Sequence, residues 1–113
     1  MLAGLGAPAY NGSMGTQTTP LGPPALPWRM RYMSAQRAYQ MGVDVDLLGG
    51  FVLQRRWSGL RNRRGGGKQQ HFARRSELLH EMRRIHRLRL RHGYEVIEGE
   101  PIAALLMQEQ LPQ

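Results

Sequence analysis

The side chains best able to do chemistry in this chain are arginines. Of 16 basic residues, 15 are Arg, and 13 of the 16 fall between Arg55 and Arg91, where the only carboxylates are Glu77 and Glu81. Arg presents a planar fork of donors that takes phosphate oxygens in pairs and stacks on bases. Trp57 adjoins Arg55 and Arg56, and Phe72 stands just before Arg74 and Arg75. Cationic groups interleaved with aromatic faces suit the binding of unpaired nucleic acid. The candidate RNA-binding residues are therefore Arg55, Arg56, Trp57, Arg61, Arg63, Arg64, Lys68, Arg74, Arg75, Arg83, Arg84, Arg87 and Arg91.

Other chemistries find less support. His71, His80, His86 and His92 are separated by nine, six and six positions. Zinc ligands on one helix sit three or four apart, so these rings point to different sides. The chain has no Cys. The histidines are expected to add hydrogen bonding or stacking to the basic surface, with no metal bound. Gly65-Gly-Gly-Lys68 imitates a phosphate loop, but the pattern needs Gly at Asn62 and Ser or Thr at Gln69. Glu77 and Glu81 are one turn apart, yet Arg74 and Arg84 each lie three residues from one of them, so ion pairing accounts for both. No catalytic residue, cofactor or small-molecule substrate is expected, and the chain reads as a non-enzyme.

The elements that must position the Arg block follow from composition. The chain has 113 residues, 41% of them hydrophobic, with 14 Gly and 7 Pro, a net charge of +8 and a pI near 11.3. That allows one small domain at most. No apolar run approaches the ~18 residues of a membrane span. The start, Met1 to Pro8, lacks the basic region and apolar stretch of a secretory signal.

Charge divides the chain. Residues 1–28 carry none and are rich in Gly and Pro, which predicts an extended arm. Residues 29–93 hold the helical, Arg-rich region, and residues 94–113, with four Glu and no Lys or Arg, form an acidic extension. Within the middle region, Tyr32 to Met41 reads as a helix, with Met30, Met33 and Arg37 on one side and Gly42 at its end. Asp44 or Asp46 can cap a second helix. That helix places Leu47, Leu48, Phe51 and Val52 on one face and runs into Arg55, Arg56 and Trp57. Ser58 to Gln70 reads as a basic loop, because three consecutive glycines do not suit a helix.

From about Gln69 to His92 there is no Gly or Pro, and Gly93 stands at the C-cap position. Leu78, Met82 and Ile85 cluster on one face of that long helix. Arg75 and Arg89 fall inside the apolar stripe and Arg83, Arg84, Arg87 and Arg91 cover the far side, which points to a helix enclosed by phosphates; the alternative is a solvated helix with Arg75 and Arg89 snorkelling at the edges of its apolar face. Tyr94-Glu-Val-Ile suggests a short strand, and Pro101 opens a short helix over Ile102 to Leu111. The expected fold class is mostly α: two or three helices with an extended N-terminal arm and an acidic C-terminal tail, without an independent large core.

From Leu47 to Tyr94 the order of these features resembles the twenty-first protein of the ribosomal small subunit, in its mitochondrial form. Asp46-Leu-Leu-Gly-Gly-Phe-Val-Leu-Gln-Arg-Arg-Trp57 is similar to that family's second helix with its Arg-aromatic end. Phe72-Ala-Arg-Arg-Ser-Glu and Met82-Arg-Arg-Ile-His-Arg-Leu-Arg-Leu-Arg-His-Gly-Tyr94 are similar to its long helix. Where the family carries Tyr-Glu-Lys-Pro, this chain has Ser58 to Gly67. The resemblance implies two or three helices, no enzyme activity, and contact of Arg55, Arg56, Trp57, Arg74, Arg75, Arg83 and Arg84 with rRNA.

The functional expectation is thus a structural constituent of a mitochondrial small ribosomal subunit, binding rRNA and neighbouring ribosomal proteins in a large hetero-assembly. The implied location is the mitochondrial matrix, with the chloroplast as the other organelle. The rival reading is a non-catalytic accessory subunit of a respiratory membrane complex, its Arg helix set on anionic headgroups or an acidic subunit. A general single-strand binder and a peripheral membrane peptide are weaker rivals: there is one Arg-Gly step, and Arg in the apolar stripe would meet the acyl layer.

Overall fold

The structure, a computed structural model, describes residues 24–62 and 64–108. Period-2 alternation decides its architecture. In Trp28-Arg-Met-Arg-Tyr-Met33, and again in Ala38-Tyr-Gln-Met-Gly-Val43, a large apolar residue takes every second position. A strand sends alternate side chains to opposite faces, so such a run buries one face and wets the other. Strands β1 (Trp28–Met33), β2 (Arg37–Val45), β3 (Phe51–Gly59) and β4 (Gly65–Phe72) form an antiparallel meander. Helix α1 (Arg75–Arg91) follows; then β5 (Glu95–Glu98) pairs antiparallel with β1, and α2 (Glu100–Leu106) ends the described chain's regular structure. The sheet order is β4-β3-β2-β1-β5.

Both hairpin ends of β2 are closed by side chains that mimic turns. The Arg37 and Gln36 N–H groups donate to Ser34 Oγ at 3.1 and 3.3 Å. The Leu48 N–H donates to Asp46 Oδ1 at 3.1 Å, and Gly49 takes φ of 100° beside it. Short polar side chains of this kind start turns as readily as they cap helices.

The core lies between one sheet face and the two helices. Trp28, Met30 and Tyr32 of β1, Tyr39, Met41 and Val43 of β2 and Leu53 of β3 are buried against Leu78, Leu79, Met82 and Ile85 of α1. Ile102, Leu105 and Leu106 of α2 join the same core, as does Tyr94. The acidic extension, as far as it is described, is thus part of the one packed unit. The other sheet face carries Arg29, Arg31, Gln40, Gln54, Arg56 and Gln69 in alternate positions, and no described helix covers it.

The mostly α expectation is overturned. Strands hold 43% of the described residues and helices 29%. The segment Tyr32–Met41, expected helical, is β1, a turn and β2. The expected second helix, which the ribosomal resemblance also implied over Asp46–Trp57, is a hairpin tip and β3, and Leu47 and Leu48 are fully exposed at that tip. Of the expected basic loop, Ser58 and Gly59 belong to β3 and Gly65 to Gln70 to β4, and the described residues outside strands are Leu60, Arg61, Asn62 and Arg64. Three glycines are poor in a helix, but an edge strand tolerates them.

Helix α1 forms as expected but starts at Arg75, and Gly93, at φ of 88°, stands just past its end. The short strand after Tyr94 and the helix near Pro101 are present as β5 and α2. Of the expected arm, residues 1–23 lie outside the described residues, and Trp28 already belongs to the core.

Candidate nucleic-acid interface

Strand alternation separates Arg55, Arg56 and Trp57, which a helix end would have kept together. On β3, Leu53, Arg55 and Trp57 face the helices, while Gln54, Arg56 and Ser58 face the open side. Arg55 is consumed internally. Its Nε donates to Tyr39 Oη at 2.7 Å, and its guanidinium donates to Gln70 Oε1 at 3.2 Å and lies 3.8 Å from Glu81. Glu81 also takes two hydrogen bonds from Arg84, at 2.9 and 2.7 Å, which hold its carboxyl below the ordinary value. These contacts tie β2, β3 and β4 to the middle of α1, so Arg55 positions rather than binds.

Trp57 is half-buried at the far end of β3. Its ring stacks on Tyr39 with centroids 6.0 Å apart and planes 13° apart. Cross-strand from it stands Gly66, where a Cβ would lie 3.0 Å from the indole. A bare backbone at that point is what lets the wide ring lie down beside β4. Arg89, inside the apolar stripe of α1, lies over Tyr39 at 4.6 Å and over Tyr94 at 5.1 Å. Its buried Nε has no hydrogen-bond partner in the structure, and the two ring faces take the charge instead. Trp57 is therefore the outer plate of a fixed stack, Trp57–Tyr39–Arg89–Tyr94.

Around this stack the remaining cations converge on one end of the sheet. Helix α1 runs from the Trp28 end, where Arg75 sits 5.5 Å from the indole, past Glu81 at Arg55, to Arg89 at Tyr39. Exposed Arg84, Arg87 and Arg91 therefore lie on the half of α1 that runs toward the Trp57 end, the end at which Lys68 on β4 and Arg61 and Arg64 of the β3–β4 loop are also exposed. Among the described residues, Arg61, Arg64, Lys68, Arg87 and Arg91 form no ion pair. Of the described carboxylates other than Glu81, Asp44 and Asp46 are at the β2–β3 tip and Glu77 is in the first turn of α1; Glu95, paired with Met33, is at the same end as Trp57 but three strands away on the β5 edge, where Glu98 and Glu100 follow it.

Several expected site residues do not join the helix-side cluster. Arg56 leaves β3 by the open face, into a trough of about 780 Å³ that it lines with Gln40, Gln54 and Gln69 and that Trp57 and Lys68 also border. Arg74 and Arg75 adjoin Phe72, which pairs with Phe51. Six residues of strand put them roughly 20 Å from Trp57. Arg83 is half-buried, with its Nε unbonded. Arg63 lies outside the described residues.

A helix enclosed by phosphates on every face is not what α1 is, since one face is packed on the sheet. Two of the four histidines hydrogen-bond as expected but not within the basic surface. His86 is buried, its Nδ1 2.7 Å from the Tyr32 hydroxyl, and burial pulls its pKa below the ordinary value. His71 pairs with Asp46 at 3.2 Å, away from Trp57. Arg89 and Tyr39 were missed. The signal for Arg89 was its place in the apolar stripe, where a cation needs a ring to lie on.

The chain matches no protein-family model, no curated protein and no solved structure. No helix among the described residues is long and apolar enough to cross a membrane.

Proposed function

We propose that the chain is a non-catalytic nucleic-acid-binding module. Its Trp57 end grips a phosphodiester backbone with Arg61, Arg64, Lys68, Arg87 and Arg91 and offers Trp57 to a base or sugar. The observation that carries this reading is the presence, at one end of the sheet, of five cations that form no ion pair among the described residues, together with one rigidly backed aromatic, while the described carboxylates other than Glu81 stand at the β2–β3 tip, in the first turn of α1 and on the β5 edge. Five unpaired cations at one end repel one another, and a polyanion relieves that repulsion while releasing its counterions. Arg supplies forked contacts to phosphate, and a half-exposed indole supplies stacking.

The test is fluorescence anisotropy with a labelled single-stranded RNA and a duplex of the same length, titrated with the chain at several salt concentrations. Saturable binding that weakens steeply with salt supports the proposal, and absence of binding at 50 mM salt overturns it. Within this reading, the assembly we propose is a mitochondrial small ribosomal subunit, on the likeness of the Arg-rich helix over Met82–Arg91. Sedimentation of native extract, with and without RNase, checks that placement: the chain should travel with the small subunit and leave it after RNase.

A further inference from the structure

The two edges of the sheet are built differently. The β5 edge is guarded: it is four residues long, its register with β1 shifts between Arg31 and Tyr32, and Glu95 and Glu98 flank it. Short length, irregularity and charge are the devices that keep an edge from pairing with another chain. The β4 edge lacks most of them. It is eight residues long, pairs with β3 in unbroken register and opens with three glycines. Lys68 is its single formal charge.

The register shows which backbone groups this edge leaves open. The Asp46 N–H donates to the Gly50 carbonyl at 2.7 Å, and the Gly59 N–H to the Arg64 carbonyl at 2.9 Å. Hydrogen-bonded and non-bonded pairs alternate along an antiparallel ladder. Counting from Gly59–Arg64, the groups of Gly66, Lys68 and Gln70 turn inward to β3. Those of Gly65, Gly67, Gln69 and His71 turn outward, and at Gly65 and Gly67 no side chain screens them.

We propose that the β4 edge is a docking site for an acidic, extended peptide of a partner protein, which adds to the sheet as a sixth strand. Main-chain hydrogen bonds to Gly65, Gly67 and Gln69 hold such a strand, and its alternate side chains set the preference. A position opposite Lys68 favours a carboxylate, because opposite charges facing across a ladder stabilise it. No Asp or Glu stands on β3 or β4 to oppose an acidic strand. The same charge argues against a second copy of this chain, since antiparallel pairing of β4 with β4 brings Lys68 near Lys68. The inference rests on the sheet edge and not on the nucleic-acid reading.

The probe is a labelled eight-residue peptide alternating Glu and Val, with a second version N-methylated at every other residue. The expected result is binding of the first peptide, weakened roughly tenfold or more by N-methylation, which removes hydrogen bonds while keeping the charge. Amide exchange at Gly65, Gly67 and Gln69 should slow on binding, while that at Gly66 and Lys68 is already slow. Gln69→Pro removes an outward N–H that β3 does not use and should weaken the peptide alone, leaving the melting temperature and oligonucleotide binding in place. Equal binding of both peptides overturns the proposal. So does dimerisation of the free chain through β4, or protection of the same amides by an oligonucleotide but not by the peptide.

Discussion

Salt dependence separates a built interface from a chain that is merely basic. Each phosphate neutralised in a duplex lowers the slope of log K against log salt by about 0.9. If Arg61, Arg64, Lys68, Arg87 and Arg91 each make one contact, the slope is about −4.5, and affinity falls roughly 500-fold between 50 and 200 mM salt. Arg64→Gln should bring the slope to about −3.6 and the fall to roughly 150-fold. Arg56→Gln removes the same charge from the neighbourhood of Trp57, but its side chain leaves the opposite face of β3. Arg75→Gln removes it roughly 20 Å away, from its place against Trp28. Both should leave the slope near −4.5. The assay is anisotropy on a short labelled duplex across five salt concentrations. All three variants carry the same net charge, so equal slopes for the three would refute the placement of the interface at the Trp57 end. A lower slope for Arg56→Gln alone would move the interface to the open face.

Three further outcomes follow from the same geometry. Trp57→Ala should weaken single-stranded RNA binding by about 1–3 kcal/mol, and Trp57→Phe by less, measured by the same anisotropy. Gly66→Ala puts a methyl 3.0 Å from the indole; it should tilt Trp57 outward, shift its fluorescence to the red and cost about 1–3 kcal/mol of stability in urea melts. His86 binds its proton less readily when folded than when unfolded. Its contribution to stability is therefore whole above its ordinary pKa of 6.5 and is lost as pH falls below that value, by at most about 1.4 kcal/mol per pH unit. Glu81, held low by Arg84, keeps its contribution down to its ordinary 4.5 and loses it only below, so its loss begins at lower pH than that of His86. Urea midpoints between pH 7.5 and 5 check this, and a flat profile would show that His86 titrates alike in both states.

The long helix and its Gly93 stop were legible because a run without Gly or Pro, ending in glycine, has few other solutions. Strands β1 and β2 were equally written in the chain, as Trp28-Met30-Tyr32 and Tyr39-Met41-Val43, but Met30, Met33 and Arg37 also satisfy a helical spacing. The helical reading puts an Arg among the apolar residues, and the alternating one does not. Asp46 misled for a different reason: a short carboxylate bonding a backbone N–H two residues on is the same local act at a helix start and at a hairpin tip. Only the strands on either side decide which it is.

The candidate site suffered most from the change of period. On a helix end, Arg55, Arg56 and Trp57 form one basic, aromatic patch. On a strand, neighbouring residues diverge by half a turn, so Arg55 is drawn into the Tyr39–Gln70–Glu81 network, Trp57 joins the ring stack, and Arg56 leaves by the other face. The clustering that supports nucleic-acid binding is therefore not the clustering visible in the chain. It is assembled by α1, which carries Arg84, Arg87 and Arg91 back along the sheet to the end where β3 hands over to β4. Its registration there is set by contacts from side chains that never reach a ligand: Arg75 on Trp28, Arg55 on Glu81, and Arg89 on Tyr39. Loss of the middle contact, as in Glu81→Gln, should shift the far end of α1 and weaken binding, even though removing a carboxylate makes the chain more basic. Tighter binding by that variant would mean that charge alone governs the interface.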